Sequence, residues 1–140
     1  GASKTSAKQM AAYYKSKGKA YPSSVYASKG ASTIDQFCSI VGQVGELPEG
    51  VRPEFSSAKA MKETGWLQFG GSVKPQQCNF GGLGAVTSSA EGASFSNVRT
   101  GLRAQAQHLK AYASTAALKN PCVDPRFDLV TRGVAPKLET

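Results

Sequence analysis

The sequence predicts an α+β fold, mostly helical, with a small β-hairpin lobe in the middle of the chain. Three observations carry this. Three stretches place apolar residues at helical spacing between cap residues, and a fourth has a helix-favouring composition. Gly70, Gly71, Gly81, Gly82, Gly84 and Gly92, mixed with Ser and Thr, break residues 68–97 into loops and a hairpin. The 140 residues are 40% hydrophobic and 19% charged, the balance of a globular chain the size of one domain.

From Ser6 to Lys17 the chain has neither Pro nor Gly and is rich in Ala, Lys and Gln, so a first helix is expected there, ended by Gly18. Tyr21-Pro22-Ser23-Ser24 through Gly30 is read as a connector. A second helix is expected with Ser32 as its cap and Asp35 three positions on. Its apolar face is Ile34, Phe37, Cys38, Val41 and Val44. The third helix is expected from Pro53 to Thr64: Pro53 suits a first turn, Glu54 suits the positive helix end, and Gly65 is the C-cap. Phe55, Ala58 and Met61 are expected to share its core face. Asn97 caps a fourth helix with the stripe Val98, Leu102, Ala106, Leu109 and Tyr112–Ala113, ending at Asn120-Pro121. Asp124, before Pro125, is read as the cap of a further short turn through Leu129.

The net charge of +8 is unevenly spread. Residues 1–30 hold Lys4, Lys8, Lys15, Lys17, Lys19 and Lys29 and no acid, which marks them as a basic helix and connector ahead of the domain at 31–140. Such a segment attracts polyanions, anionic wall polymers among them, and nothing in the sequence specifies nucleic acid. No stretch approaches the roughly 18 apolar residues of a membrane span, and no apolar leader follows Gly1-Ala2-Ser3-Lys4. Cys38, Cys78 and Cys122 lie far apart beside a single histidine, which excludes a zinc-ligand spacing; they are read as three buried free thiols, with no metal and no cofactor. Nucleotide-binding loops and the G-x-S-x-G elbow are absent.

One carboxylate stands apart. Glu63 falls in the last turn of the third helix, where the negative end of the helix dipole disfavours a charged carboxyl and so suits a proton donor. Trp66 and Phe69 follow it as apolar walls, an arrangement lysozyme also uses. Glu91 is the one carboxylate between Glu63 and Asp124 and is a candidate base or electrostatic stabiliser. The 2-acetamido group of an amino-sugar substrate is the alternative to it. Sugars stack on aromatic faces, for which Trp66, Phe80, Phe95 and Tyr112 are candidates. Sugars also take hydrogen bonds, for which Gln77, Asn79 and His108 are candidates.

The run Ala58-Lys59-Ala60-Met61-Lys62-Glu63-Thr64-Gly65-Trp66, followed by Asn79-Phe80-Gly81-Gly82-Leu83-Gly84, resembles the bacterial glucosaminidase domain of glycoside hydrolase family 73, in the forms of clostridial wall proteins and phage lysins. The similarity extends from about Ala31 to Pro136. It implies a lysozyme-like fold and a secreted, wall-associated or phage-delivered monomer. It also implies hydrolysis of the β-1,4 bond between N-acetylglucosamine and N-acetylmuramic acid in peptidoglycan glycan strands. Glu63 would be the general acid, with Asn79 and Phe80 shaping the cleft floor. The chain departs from the pattern at Ser56-Ser57, Leu67 and Gly81, and Thr140 falls short of the full domain's last helix. A wall-binding module without turnover and a lytic transglycosylase are the alternatives that share these motifs.

Overall fold

The computed structural model describes residues 6–45, 50–84, 92–113, 118, 121–125, 127 and 133. Among the described residues five α-helices run in chain order: α1 (Ala7–Ser16), α2 (Ser23–Tyr26), α3 (Ile34–Val44), α4 (Pro53–Thr64) and α5 (Val98–Ala113). Two 3-10 turns, Ala27–Lys29 and Pro75–Gln77, join them.

Local chemistry sets the helix ends. The Ser6 hydroxyl accepts from Gln9 N–H, and the Gln9 side chain accepts from Ser6 N–H, which completes a capping box on α1. Thr33, one residue after the expected Ser32, caps α3 by accepting from Gln36 N–H. Ser32 N–H instead donates to the Gln36 side chain. Pro53 opens α4 and Gly65, at φ 58°, closes it. Asn97 accepts from Thr100 N–H at the start of α5. The Tyr21–Gly30 connector contains α2, which carries the wholly buried Tyr26.

α3 lies at the centre, against α1 on one side and α5 on the other, and α4 packs on α3. The core is aromatic where these elements meet the middle of the chain. Phe80 meets Phe37 edge-on at 5.1 Å and Tyr26 at 5.7 Å. α1 is part of this packing rather than a solvated arm, because Met10, Ala11 and Tyr14 are buried in it.

The core face of α4 differs from the expected one. Ser56, Ser57, Ala60, Met61 and Thr64 are buried, whereas Ala58 is exposed and Phe55 half-buried. The buried face is therefore a stripe of mostly small side chains, so Ser56-Ser57 marks close packing rather than a solvated surface.

The fold class needs correction. Among the described residues there is no strand, so the expected β-hairpin lobe, and with it the α+β assignment, is not formed there; the described chain is helical with an irregular lobe. A ladder needs a run of paired extended residues. Here two isolated backbone bonds cross the lobe, Ala93 N–H to Leu83 O at 2.8 Å and Phe95 N–H to Gln77 O at 2.7 Å. Positive φ at Gly82, Gly84 and Gly92 interrupts extension between them. The backbone groups a sheet would pair are taken by side chains instead. Asn79 donates to Leu83 O and Ala93 O and accepts from Leu83 N–H, while Gln77 donates to Ala93 O. α5 seats the lobe through Gly101, since a Cβ there would overlap the Cys78 carbonyl.

Candidate active site

The end of α4 is where the sequence points, and its backbone is unusual. Gly65, Trp66, Leu67 and Phe69 all adopt left-handed φ between 57° and 64°. For bulky residues this conformation costs on the order of 1–3 kcal/mol each, so neighbouring bonds must hold it. Thr64 does part of this: its hydroxyl donates to Ala60 O at 2.7 Å and accepts from Leu67 N–H at 3.0 Å. Phe69 N–H returns to Thr64 O at 2.7 Å, and Leu67 is buried beneath the turn. Tyr14 on α1 donates its hydroxyl to Trp66 O, and Gln68 donates to Ala20 O.

This turn carries the chain over a cavity of about 390 Å³ whose wall includes Glu63, Phe69, Val73, Asn79 and Gly82. Glu63 and Asn79, separated by 16 positions in sequence, thus meet in one wall. A Cβ on Gly82 would stand 3.4 Å from Glu63 Oε2, so the carboxylate lies beside the bare backbone of the lobe. Glu63 remains 41% exposed, and Lys59 Nζ is 4.0 Å from its Oε1 one turn back on α4. An exposed pair at this distance is worth about 0–1 kcal/mol. The site is therefore an open depression, with one carboxylate at a helix end facing one buried amide and a glycine backbone.

The other expected site residues are dispersed. Trp66 is not in the cavity wall. Its ring packs edge-on against Tyr13 at 5.7 Å on the far side of α4, and Phe69 alone supplies the aromatic wall near Glu63. Phe80 is wholly buried between Tyr26, Phe37 and Phe69, so it supports the floor from beneath and offers no face to a ligand. Asn79 is 1% exposed and spends its amide on the lobe backbone. Gln77 and Phe95 join the two sides of the lobe. Glu91 lies outside the described residues, as do 114–117 and the end, 128–129, of the short turn expected from Asp124 through Leu129, of which the Phe127 N–H to Asp124 O bond is described. Tyr112 falls within α5, but its side chain is outside the described residues.

His108 is engaged elsewhere. Its Nδ1 is 2.8 Å from Asp124 Oδ2, and that carboxylate is fully buried. Next to it, Gln107 accepts from Val123 N–H and Asp124 N–H and donates to Pro121 O. Asp124 is thus an anchor on α5 rather than only a cap, and residues 121–124 are fastened by two consecutive side chains of one helix. Gln107 lies outside the apolar stripe read from the spacing and is nonetheless wholly buried, and the polar Gln105 and Lys110 nearby are buried too, so periodicity does not signal this clamp.

All three cysteines are free. Cys38 and Cys78 are buried as expected, but Cys122 is exposed. Burial pushes the Cys38 thiol up to about 12 and the Cys78 thiol up to about 11. Among the described residues no cluster of ligating side chains fits a metal ion, and no helix is long and apolar enough to cross a membrane.

Comparison with known proteins adds one relative. Over 92 residues, 66% of this chain, the sequence is 48% identical to an uncharacterized protein of Borreliella burgdorferi. The match spans 45% of that relative's length. No family model matches the chain, and no solved structure matches it.

Proposed function

We propose that the chain is a peptidoglycan hydrolase, an endo-β-N-acetylglucosaminidase in which Glu63 donates a proton to the bridging oxygen of the N-acetylglucosamine–N-acetylmuramic acid bond. The observation that supports this reading is the meeting of Glu63 with Asn79 and Gly82 across one cavity. These are the residues of the two separated motifs that resemble the glucosaminidase domain.

The chemistry is as follows. Protonation lets the leaving sugar depart as an alcohol while positive charge develops at the anomeric carbon. Water then adds to that carbon, and the proton it releases restores Glu63. Either Glu91 or the substrate's own 2-acetamido oxygen stabilises the charge. A general acid of this kind typically contributes 10²- to 10⁴-fold. The bare backbone at Gly82 leaves room for a sugar ring beside the carboxylate.

A second reading, a wall-binding module without turnover, draws support from the openness of the site: Glu63 is 41% exposed beside Lys59. One digestion separates the readings. Purified peptidoglycan is treated with wild type and with Glu63→Gln, and product masses are recorded. Hydrolysis leaves reducing N-acetylglucosamine ends, and Glu63→Gln lowers turnover at least a hundredfold with binding retained. Products ending in 1,6-anhydromuramic acid would identify a lytic transglycosylase. Binding by both proteins with turnover by neither would leave the binding module.

A further inference from the structure

A larger depression lies on the other side of α4 from the Glu63 cavity. It is a groove of about 540 Å³ between α1 and α4. Its floor is apolar, with Met10, Met61 and Tyr14 buried beneath it. At its mouth Tyr13 is 60% exposed, the one large apolar side chain so exposed among the described residues, and it meets Trp66 at 5.7 Å. Lys17 Nζ rests 4.7 Å from the Tyr13 ring centroid and 5.1 Å from that of Trp66. Lys62, exposed, stands on the opposite rim, and Gln9 adds an amide.

The chemistry of this lining is specific. The exposed Tyr13 ring offers a flat apolar face with Trp66 edge-on beside it, and polar side chains surround the pair, which suits an amphipathic ring rather than a greasy chain. Neither Lys17 nor Lys62 has a carboxylate partner among the described residues, whereas Lys15 pairs with Asp35 and Lys59 with Glu63. The carboxylate at this groove, Glu54, sits 3.9 Å from Arg52. Lys62 on the rim and Lys17 over the ring pair are therefore two cations with no described counterion beside an exposed aromatic ring, and an anion completes the arrangement.

We propose that the α1–α4 groove is a second binding site, distinct from the Glu63 cavity, for a saccharide bearing a carboxylate. The sugar's C–H face stacks on the face of Tyr13 that Lys17 leaves uncovered, with Trp66 as a side wall, and its carboxylate is received by Lys17 and Lys62. The choice of a saccharide rests on the glycan reading of the Glu63 cavity. Lys62 and Trp66 belong to the groove while Glu63 and Gly65 belong to the cavity, so one helix end would hold a long glycan at two points.

Trp66 is the sole tryptophan, so its fluorescence reports the groove directly. The probes are N-acetylmuramic acid and its neutral counterpart N-acetylglucosamine, titrated into the full chain. The proposal expects saturable quenching, with the acidic sugar at least fivefold tighter and that preference shrinking as salt rises. Tyr13→Ala, at an exposed position, should weaken both sugars at least tenfold without changing the unfolding midpoint. Lys62→Gln should remove the preference for the acid, and Glu63→Gln should leave the titration unchanged. The proposal is overturned if quenching is absent or unsaturable, if Tyr13→Ala and Lys62→Gln bind as wild type does, or if Glu63→Gln abolishes binding and so moves the sugar to the cavity. Loss of turnover in Glu63→Gln on peptidoglycan is read separately, so an empty groove leaves the catalytic reading intact.

Discussion

The Tyr14 hydroxyl donates to the Trp66 carbonyl at 3.0 Å, a bond spanning 52 positions that fastens the first helix to the strained turn after Glu63. Burial raises the pKa of Tyr14, so the phenol stays a donor at neutral pH. The basic N-terminal helix thus buttresses the candidate site, and its lysines are the outer face of an element whose inner face is core.

That relationship separates two variants. Tyr14→Phe removes the bond and leaves the Trp66 carbonyl with the Gln68 amide as its donor, at a cost of about 1 kcal/mol in urea unfolding. Deleting residues 1–19 takes Met10, Ala11 and Tyr14 out of the core and should leave a chain without cooperative unfolding by circular dichroism. A deletion that unfolds as wild type does would show that α1 contributes nothing to the core.

Gly82 sits at φ 65° with its α-carbon facing Glu63 Oε2. Gly82→Ala introduces a left-handed alanine, costing about 1–2 kcal/mol, and brings a methyl group to 3.4 Å from that oxygen. Turnover on peptidoglycan should fall at least tenfold while the protein remains folded at 25 °C. Wild-type turnover would show that nothing need approach Glu63 from this side.

Asn79 replaces a ladder with one side chain. Asn79→Ala would leave Leu83 N–H without its partner and take one of two donors from Leu83 O and from Ala93 O, in a buried setting where an unsatisfied group costs about 1–3 kcal/mol. Urea unfolding should show a loss of about 3 kcal/mol. Amide exchange in residues 77–84 should quicken more than in α3. A loss under about 1 kcal/mol would mean that the lobe is held by other means.

Alkaline pH should destabilise the fold. Cys38, Cys78, Tyr21 and Tyr26 all hold their protons more tightly than usual, chiefly because burial penalises the charged form. In the unfolded chain the thiols ionise near pH 9 and the phenols near pH 10, so above pH 9 the unfolded state binds fewer protons than the native state. Stability is therefore fully present below pH 9 and is lost as pH rises toward 11 and 12, at about 1.4 kcal/mol per pH unit for each such group. Urea midpoints measured from pH 8 to pH 11 check this, and a flat limb would contradict it. In parallel, a thiol reagent at pH 8 should label Cys122 alone in the native protein.

The helix ends were legible where caps act within one turn: Pro53 through Gly65, and Asn97 with Thr100, are local chemistry that any tertiary context inherits. Glu63 at a helix end follows from the same local chemistry, whereas Asn79 enters through the motif that resembles the glucosaminidase domain. What faces what was decided only by packing between distant residues. Alternating glycines suggested a hairpin, but side-chain amides from Gln77 and Asn79 took the backbone groups that a ladder would have paired. Periodicity put Phe55 and Ala58 inward, whereas the close approach of α4 selected Ser56, Ser57 and Ala60. Trp66, one turn of chain from Glu63, went to the opposite groove because three left-handed residues and the Tyr14 bond redirect the backbone there. Such choices depend on contacts tens of positions apart, and no window of sequence contains both partners.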